Sequence, residues 1–339
     1  MTTTLDYPFP DLPALGAAVQ LVPGLAWLRM PLPFALDHIN LWLLDDGAEG
    51  EVAAVDTGFC SDVIKDAWKS ALAGRRLTRS VCTHGHPDHL GLAKWLESEF
   101  GAPLWITQGE YLLAQLLVAQ AGPFTTATMI AFFARHGLDA ERLAALEMRG
   151  NSYGVGVPHL PATYRRIFPG DTLRVGQHDW RVIIGYGHAP EHAALYCPDL
   201  GVLISGDMLL PRISTNVPVV STCPDDNPLQ QFLDSIDRFL ELPDDTLVLP
   251  SHGRPFRGIK ERVRQLHEHH ENRCAALIAP CREPRTAAEL IPVLFERDIP
   301  DPHQVMFAMG EAIAHLNLLQ HRSQLRRIDE AGLTRYVVN

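Results

Sequence analysis

Four side chains able to bind a metal ion fall within six residues, His84-Gly85-His86-Pro87-Asp88-His89. The run follows a short strand-like stretch, Arg79-Ser80-Val81-Cys82-Thr83, so it occupies the mouth of a strand. Histidines two apart in an extended segment project to the same side and can reach one ion. The turn after them presents Asp88 and His89 further on, suited to a second ion. Imidazole and carboxylate are the donors expected for zinc and similar borderline cations. The alternative is a polar loop that happens to be rich in histidine, and four such ligands in six residues weigh against it. One loop cannot supply a dinuclear site, so other ligands must gather around the end of this strand.

Three later positions fit that requirement, each just past a strand pattern. His188 lies in Gly187-His188-Ala189-Pro190-Glu191-His192, Asp207 in Ser205-Gly206-Asp207, and His252 in Ser251-His252-Gly253. Small residues beside each one let the backbone approach a crowded centre. Asp56, after the buried strand pattern Val52–Val55, reads as a turn aspartate. His267, His269 and His270 fall on a helix and read as a solvated face. His136, His159 and His178 have no ligand-like context.

The elements around these positions alternate between strand and helix. Strands are expected at Ala26–Met30, Asn40–Leu44, Val52–Val55, Leu104–Ile106, Thr172–Val175 and Trp180–Ile184. A hairpin is expected over Ala193–Cys197 and Val202–Ser205, and a further strand at Thr246–Pro250. Helices are expected at Ser61–Leu72, Leu90–Phe100, Pro228–Leu240 and Lys260–Ile278. Residues 108–165 differ in character. Glu110–Gln120, Thr125–His136 and Ala140–Arg149 read as helices, the last with Asp139 as its N-cap, followed by a Gly/Pro/aromatic loop from Tyr153 to His159. This segment is a helical insertion, and its Tyr111, Leu112, Phe124, Met129, Phe132 and Phe133 either cap the cleft or pack the insertion's own core. Thr286-x-x-Glu289 is a capping box, Pro292 is expected to kink the helix it opens, and Asp301-Pro302-x-Gln304 starts another helix. Leu325–Ile328 and Thr334–Val338 suggest a closing hairpin. Residues 1–280 therefore form one domain and 281–339 a small winged-helix-like module.

The 339 residues, 46% hydrophobic and 20% charged, suit a globular enzyme. A formal net charge of -11 disfavours nucleic acid as a partner. None of the six cysteines forms a C-x-x-C pair, which argues against a cysteine zinc site. No signal peptide and no apolar run long enough to span a membrane is visible, so a cytoplasmic location and no membrane partner are expected.

The ordered ligand set resembles the metallo-β-lactamase superfamily over about residues 22–270, especially its glyoxalase II-like and lactonase-like hydrolases. The resemblance implies an αββα sandwich. It implies that His84, His86 and His188 hold one metal, that Asp88, His89 and His252 hold a second, and that Asp207 bridges them. Asp88 would also be the catalytic residue that orients the nucleophile or shuttles a proton, and Asp56 would steady the ligand loop. His192 is left open between a supporting and a structural role. The implied cofactors are two divalent ions, zinc by default and iron or manganese as substitutes. A metal-bridged hydroxide would attack a small ester, thioester or lactone. The C-terminal module also resembles that of a branch containing an endoribonuclease, so phosphodiester cleavage is the second reading. The third is a non-hydrolytic metal-binding or redox protein; a flavodiiron-type site would carry Glu in place of His86. Assembly is open, a homodimer through the insertion or the tail being one arrangement.

Overall fold

The computed structural model describes residues 4–339. Two sheets stack face to face with helices on both outer sides. The first contains β1 (Val19–Val22), β2 (Leu25–Pro31), β3 (His38–Asp45), β4 (Glu51–Val55), β5 (Arg76–Val81), β6 (Leu104–Ile106) and β7 (Arg165–Arg166), in that order. It is antiparallel from β1 to β4 and parallel from β4 to β7. The second contains β8 (Thr172–Val175), β9 (His178–Gly185), β10 (His192–Cys197), β11 (Val202–Gly206) and β12 (Leu247–Pro250), in the spatial order β12-β11-β10-β9-β8.

Both faces of the central strands are covered, which is why they read as nearly unbroken apolar runs. In β3, Trp42 and Leu44 enter the core between the sheets, with Trp27, Val55, Trp180, Leu195 and Leu249. Its other face, Ile39, Leu41 and Leu43, packs under α1 (Asp62–Ala71) through Ile64 and Trp68. Trp27 donates from Nε1 to Asn40 Oδ1 at 2.9 Å, and Asn40 Nδ2 donates to the carbonyls of Pro250 and Gly253 at 2.8 and 2.9 Å. A buried polar side chain of the first sheet thus fixes the turn carrying His252 at the end of the second.

Helices α2 (Pro87–Leu90) and α3 (Ala93–Phe100) replace the single helix expected from Leu90 to Phe100. The break has a local cause. The Leu92 amide donates to Gly58 O and Thr57 Oγ1, at 3.2 and 3.1 Å, instead of continuing the helical ladder. Four helices lie between β6 and β7: α4 (Gln108–Ala119), α5 (Thr126–Arg135), α6 (Ala140–Arg149) and α7 (Ser152–Gly156). Asp139 caps α6 by accepting from Arg142 N at 2.9 Å. The expected loop at Tyr153 begins instead as α7, because Asn151 Oδ1 accepts from Gly154 N and closes a turn.

The second sheet is covered by α8 (Pro228–Asp237) and α9 (Ile259–Ile278), against which α10 (Ala287–Phe295) and α11 (Pro302–His321) pack in turn. Thr286 and Glu289 form the expected capping box, Asp301 caps α11 through Gln304 N at 2.9 Å, and Pro292 lies inside α10. The hairpin β13 (Leu325–Glu330) and β14 (Leu333–Val338) closes the chain. Residues of α10, α11 and β14 share one continuous hydrophobic cluster with α8, α9 and Phe132 and Phe133 of the insertion. Those two phenylalanines therefore pack the common core rather than the mouth of the site. His270 is fully buried, against the expectation of a solvated face, because α11 packs over it and His315 Nε2 accepts from its Nδ1 at 3.1 Å. Among the described residues, no helix is long and apolar enough to cross a membrane.

Candidate metal centre

All seven expected ligand residues converge at one edge of the sandwich, where β4, β5, β9, β11 and β12 end. Donor atoms of His84, His86, His188 and Asp207 lie within 4.8 Å of one another, and those of Asp88, His89 and His252 form a second such group. Asp207 faces both. Its Oδ2 is 3.5 Å from His188 Nε2, while Oδ1 is 3.4 Å from His89 Nε2 and 3.5 Å from His252 Nε2. Asp88 Oδ2 lies 3.4 Å from His252 Nε2 and 3.7 Å from His89 Nε2.

The outward nitrogens fix the tautomers. His188 Nδ1 donates to Asn216 O, and His252 Nδ1 to His38 O, both at 2.7 Å. His89 Nδ1 donates to Asp56 Oδ2 at 2.8 Å. Thr83 Oγ1 donates to Asp56, which leaves its lone pair to accept from His84 Nδ1 at 3.1 Å. In the neutral ring, anchoring one nitrogen leaves the other as a lone pair aimed inward. His84 Nε2 and His188 Nε2 then face each other at 3.1 Å. Neither has a hydrogen to share, so a cation between them relieves the repulsion. The buried His89 Nε2 and Asp207 Oδ1 have no hydrogen-bond partner among the described residues. This donor set fits divalent cations.

Proton affinities divide along the same groups. Burial, then the neighbouring imidazoles, holds His84 far below the usual histidine range; burial and His188 press His86 to about 3. His188 is also lowered, by burial. Burial alone would lower His89 and His252 too, but carboxylates outweigh it. Asp56, Asp88 and Asp207 raise His89, and Asp207 with Asp88 lifts His252 to about 10. Against burial, these imidazolium charges keep Asp88 and Asp207 below the usual carboxylate range. The metal-free cluster thus balances its carboxylates with protons that a cation would replace.

Asp56 accepts from Thr83 N at 2.8 Å and from His89, so it joins the strand end to the ligand turn. It adopts φ 64°, a left-handed conformation uncommon for a residue with a side chain. His192 lies outside both donor groups: its Nε2 accepts from Asp207 N at 3.1 Å. The approach is close enough that a Cβ on Gly206, itself at φ 54°, would fall 2.3 Å from that nitrogen. His192 thus packs behind Asp207 and orients it.

Sequence reasoning missed several supports. Buried Glu110 accepts from Gly85 N at 2.8 Å and from Glu191 N at 2.7 Å, tying together the two histidine loops. Tyr153 donates to Gly85 O at 2.5 Å, so both polar groups of Gly85 are held from the insertion. Glu191 in turn accepts from Gly109 N at 2.8 Å. His38, held neutral by burial, accepts from Gly253 N at 2.7 Å. These partners lie far apart along the chain and act mostly on backbone groups, so no local motif announces them.

The metallo-beta-lactamase superfamily profile matches residues 35–252, and the profile for the metallo-beta-lactamase-like C-terminal domain matches residues 274–339. The solved structure of a beta-lactamase domain protein from Burkholderia ambifaria is 45% identical. The match covers 99% of this chain and 98% of that one, with a TM-score of 0.91. Probable metallo-hydrolase YqjP of Bacillus subtilis is 24% identical over 321 residues, 86% of this chain and 91% of its own length. Hydroxyacylglutathione hydrolase of Rhodobacter capsulatus is 26% identical over 228 residues, 66% of this chain and 64% of that protein.

Proposed function

The chain belongs to the metallo-beta-lactamase superfamily, and from that premise we propose a hydrolase that holds two divalent cations, zinc first among them, and cleaves a small ester, thioester or lactone. The observation that carries this reading is the pair of donor groups sharing Asp207. His84, His86 and His188 would hold one ion, and Asp88, His89 and His252 the other. Such ions supply a nucleophilic water at neutral pH and a Lewis acid for the substrate oxygen. Asp207, with one carboxylate oxygen toward each group, would serve both ions. The Asp88 carboxylate, 3.4 Å from His252 and 3.7 Å from His89, would take the proton shed by the attacking water. It passes that proton to the departing alkoxide or thiolate. The thioester member of this substrate set follows the similarity to hydroxyacylglutathione hydrolase, whose named substrate carries an acyl–sulfur bond. In the tail, Arg327 is occupied by Asp225 and Asp329, which takes it away from phosphate binding.

A panel of chromogenic thioesters, lactones, carboxylic esters and phosphodiesters, run with and without chelator, tests the proposal. Carboxylic substrates are expected to turn over, to stop on chelation and to recover when zinc is restored. Turnover of phosphodiesters alone, or turnover indifferent to chelation, would overturn it.

Metal uptake is also expected to release protons. His252 holds its proton up to about 10 in the metal-free cluster, so a cation at its Nε2 must expel it across the neutral range. Apparent affinity is expected to rise by about tenfold per pH unit for each proton expelled. Calorimetric titrations in buffers of different ionisation enthalpy count those protons. Binding without proton release would remove His252 from the ligand set.

A further inference from the structure

We infer that the C-terminal helix α11 is a working part of the metal centre, setting the geometry of one ion's ligands through the loop that follows Asp207. The inference rests on the two-cation reading above. Two adjacent residues of that loop grip two ligands of the same donor group. Thr215 Oγ1 donates to the carbonyl of Asp207. Asn216 O accepts from His188 Nδ1 at 2.7 Å. The loop from Pro211 to Val220 has no helix or strand of its own to hold it, so its position comes from its neighbours.

Most of that hold comes from α11. Asn216 Nδ2 donates to Glu311 Oε2 at 3.0 Å and to Phe307 O at 3.3 Å. Glu311 is buried and paired with Arg273 of α9, which fixes the carboxylate that Asn216 meets. One residue earlier, Gly310 O accepts from Val219 N at 3.0 Å. The approach requires glycine, because a Cβ there would lie 2.6 Å from Pro218 Cβ and 3.2 Å from Pro218 Cα. Two turns further along, Asn317 Nδ2 donates to the carbonyls of Pro224 and Asp226, at 3.0 and 2.9 Å. α9 adds Arg262, which donates to Ile213 O at 2.8 Å. Gly310, Glu311 and Asn317 of the buried helix are therefore spent on the connected stretch from residue 215 to 226, whose inner edge touches His188 and Asp207. Partners that orient a metal-binding histidine typically change metal affinity about 10–100-fold when lost.

The effect is selective by construction. Asn216 reaches His188, which belongs to one donor group alone, whereas His89 and His252 are oriented from elsewhere, by Asp56 and His38. The positioning residues Asn216 and Gly310 can be tested in the full-length protein as Asn216→Ala, which keeps the carbonyl but frees it from α11, and Gly310→Ala, which wedges the loop outward. Metal content, chelator competition and the visible spectrum of the cobalt-loaded protein are read beside the melting temperature. In each variant, the ion on the His188 side is expected to bind about 10–100-fold more weakly, with a changed cobalt spectrum, while the other, which shares only Asp207 with the displaced loop, is weakened less. Wild-type affinity for both ions in both variants would overturn the inference. So would equal weakening of both ions in step with a lowered melting temperature, since that marks a merely structural helix. A wild-type protein that takes up no stoichiometric metal would instead bring down the two-cation reading itself.

Discussion

Asp207→Asn is expected to cost the protein both cations and to lower kcat/KM by more than the about 10–100-fold typical of losing an outer partner of a metal ligand. The carboxylate offers Oδ1 to the His89 and His252 side and Oδ2 to the His188 side. An amide keeps one acceptor oxygen and turns an N–H₂ toward the other group, where it cannot ligate a cation and instead donates to an imidazole nitrogen that the cation would need. The lost negative charge also weakens the side that keeps the oxygen, so both groups lose affinity together. The backbone is already constrained from behind: His192 Nε2 accepts from Asp207 N, and Gly206 leaves no room between them. The variant side chain therefore cannot move away to relieve the conflict. Metal analysis of the purified variant, with kcat/KM on the substrate found by the panel, checks this result. A variant that kept two ions and wild-type turnover would show that Asp207 is not shared between them.

The convergence of these seven side chains was legible because its signals are local. Four of them occupy six residues, and His188, Asp207 and His252 each follow a strand pattern and sit beside glycine or another small residue. Strand ends in a layered fold come together at one edge, so the pattern carried three-dimensional information. His192 could be placed only between a supporting and a structural role. It is the first residue of β10, and that register packs its ring behind Asp207 rather than into the donor group. His270 was misread because the Glu-rich, His-rich face of α9 resembles a solvated surface, and only the packing of α11 buries it. Glu110, Tyr153 and Asn216 were illegible for another reason. Each touches the centre through a main-chain group 25 to 81 positions away, at separations no periodicity encodes. The fold class, set by alternating strands and helices, was readable; the polar connections that hold the ligand loops were not.

Glu110 is the second position where a large effect is expected, and its signature is a pH dependence. Its carboxylate is buried and accepts from Gly85 N and Glu191 N. Burial outweighs those two bonds and pushes its pKa from the ordinary 4.5 up to about 7, with Glu191 adding to the rise. The unfolded chain loses this proton near pH 4.5, while the folded protein keeps it until near neutrality. Between those values the folded state binds more protons, so stability falls as pH rises through the window. A shift of this size corresponds to about 3 kcal/mol, lost progressively between pH 4.5 and 7. In the metal-free protein, the difference in unfolding free energy between wild type and Glu110→Gln isolates this contribution from the other titrating groups. Relative to the variant, wild type is expected to become less stable across that window and to level off above it. The variant bears its own constant cost. Its amide N–H₂ faces a backbone N–H in place of an acceptor, and an unsatisfied buried donor costs about 1–3 kcal/mol. A difference that stayed flat from pH 4 to 8 would mean that Glu110 ionises at its ordinary pH, and that the two histidine loops are tied by a carboxylate whose charge costs the fold nothing.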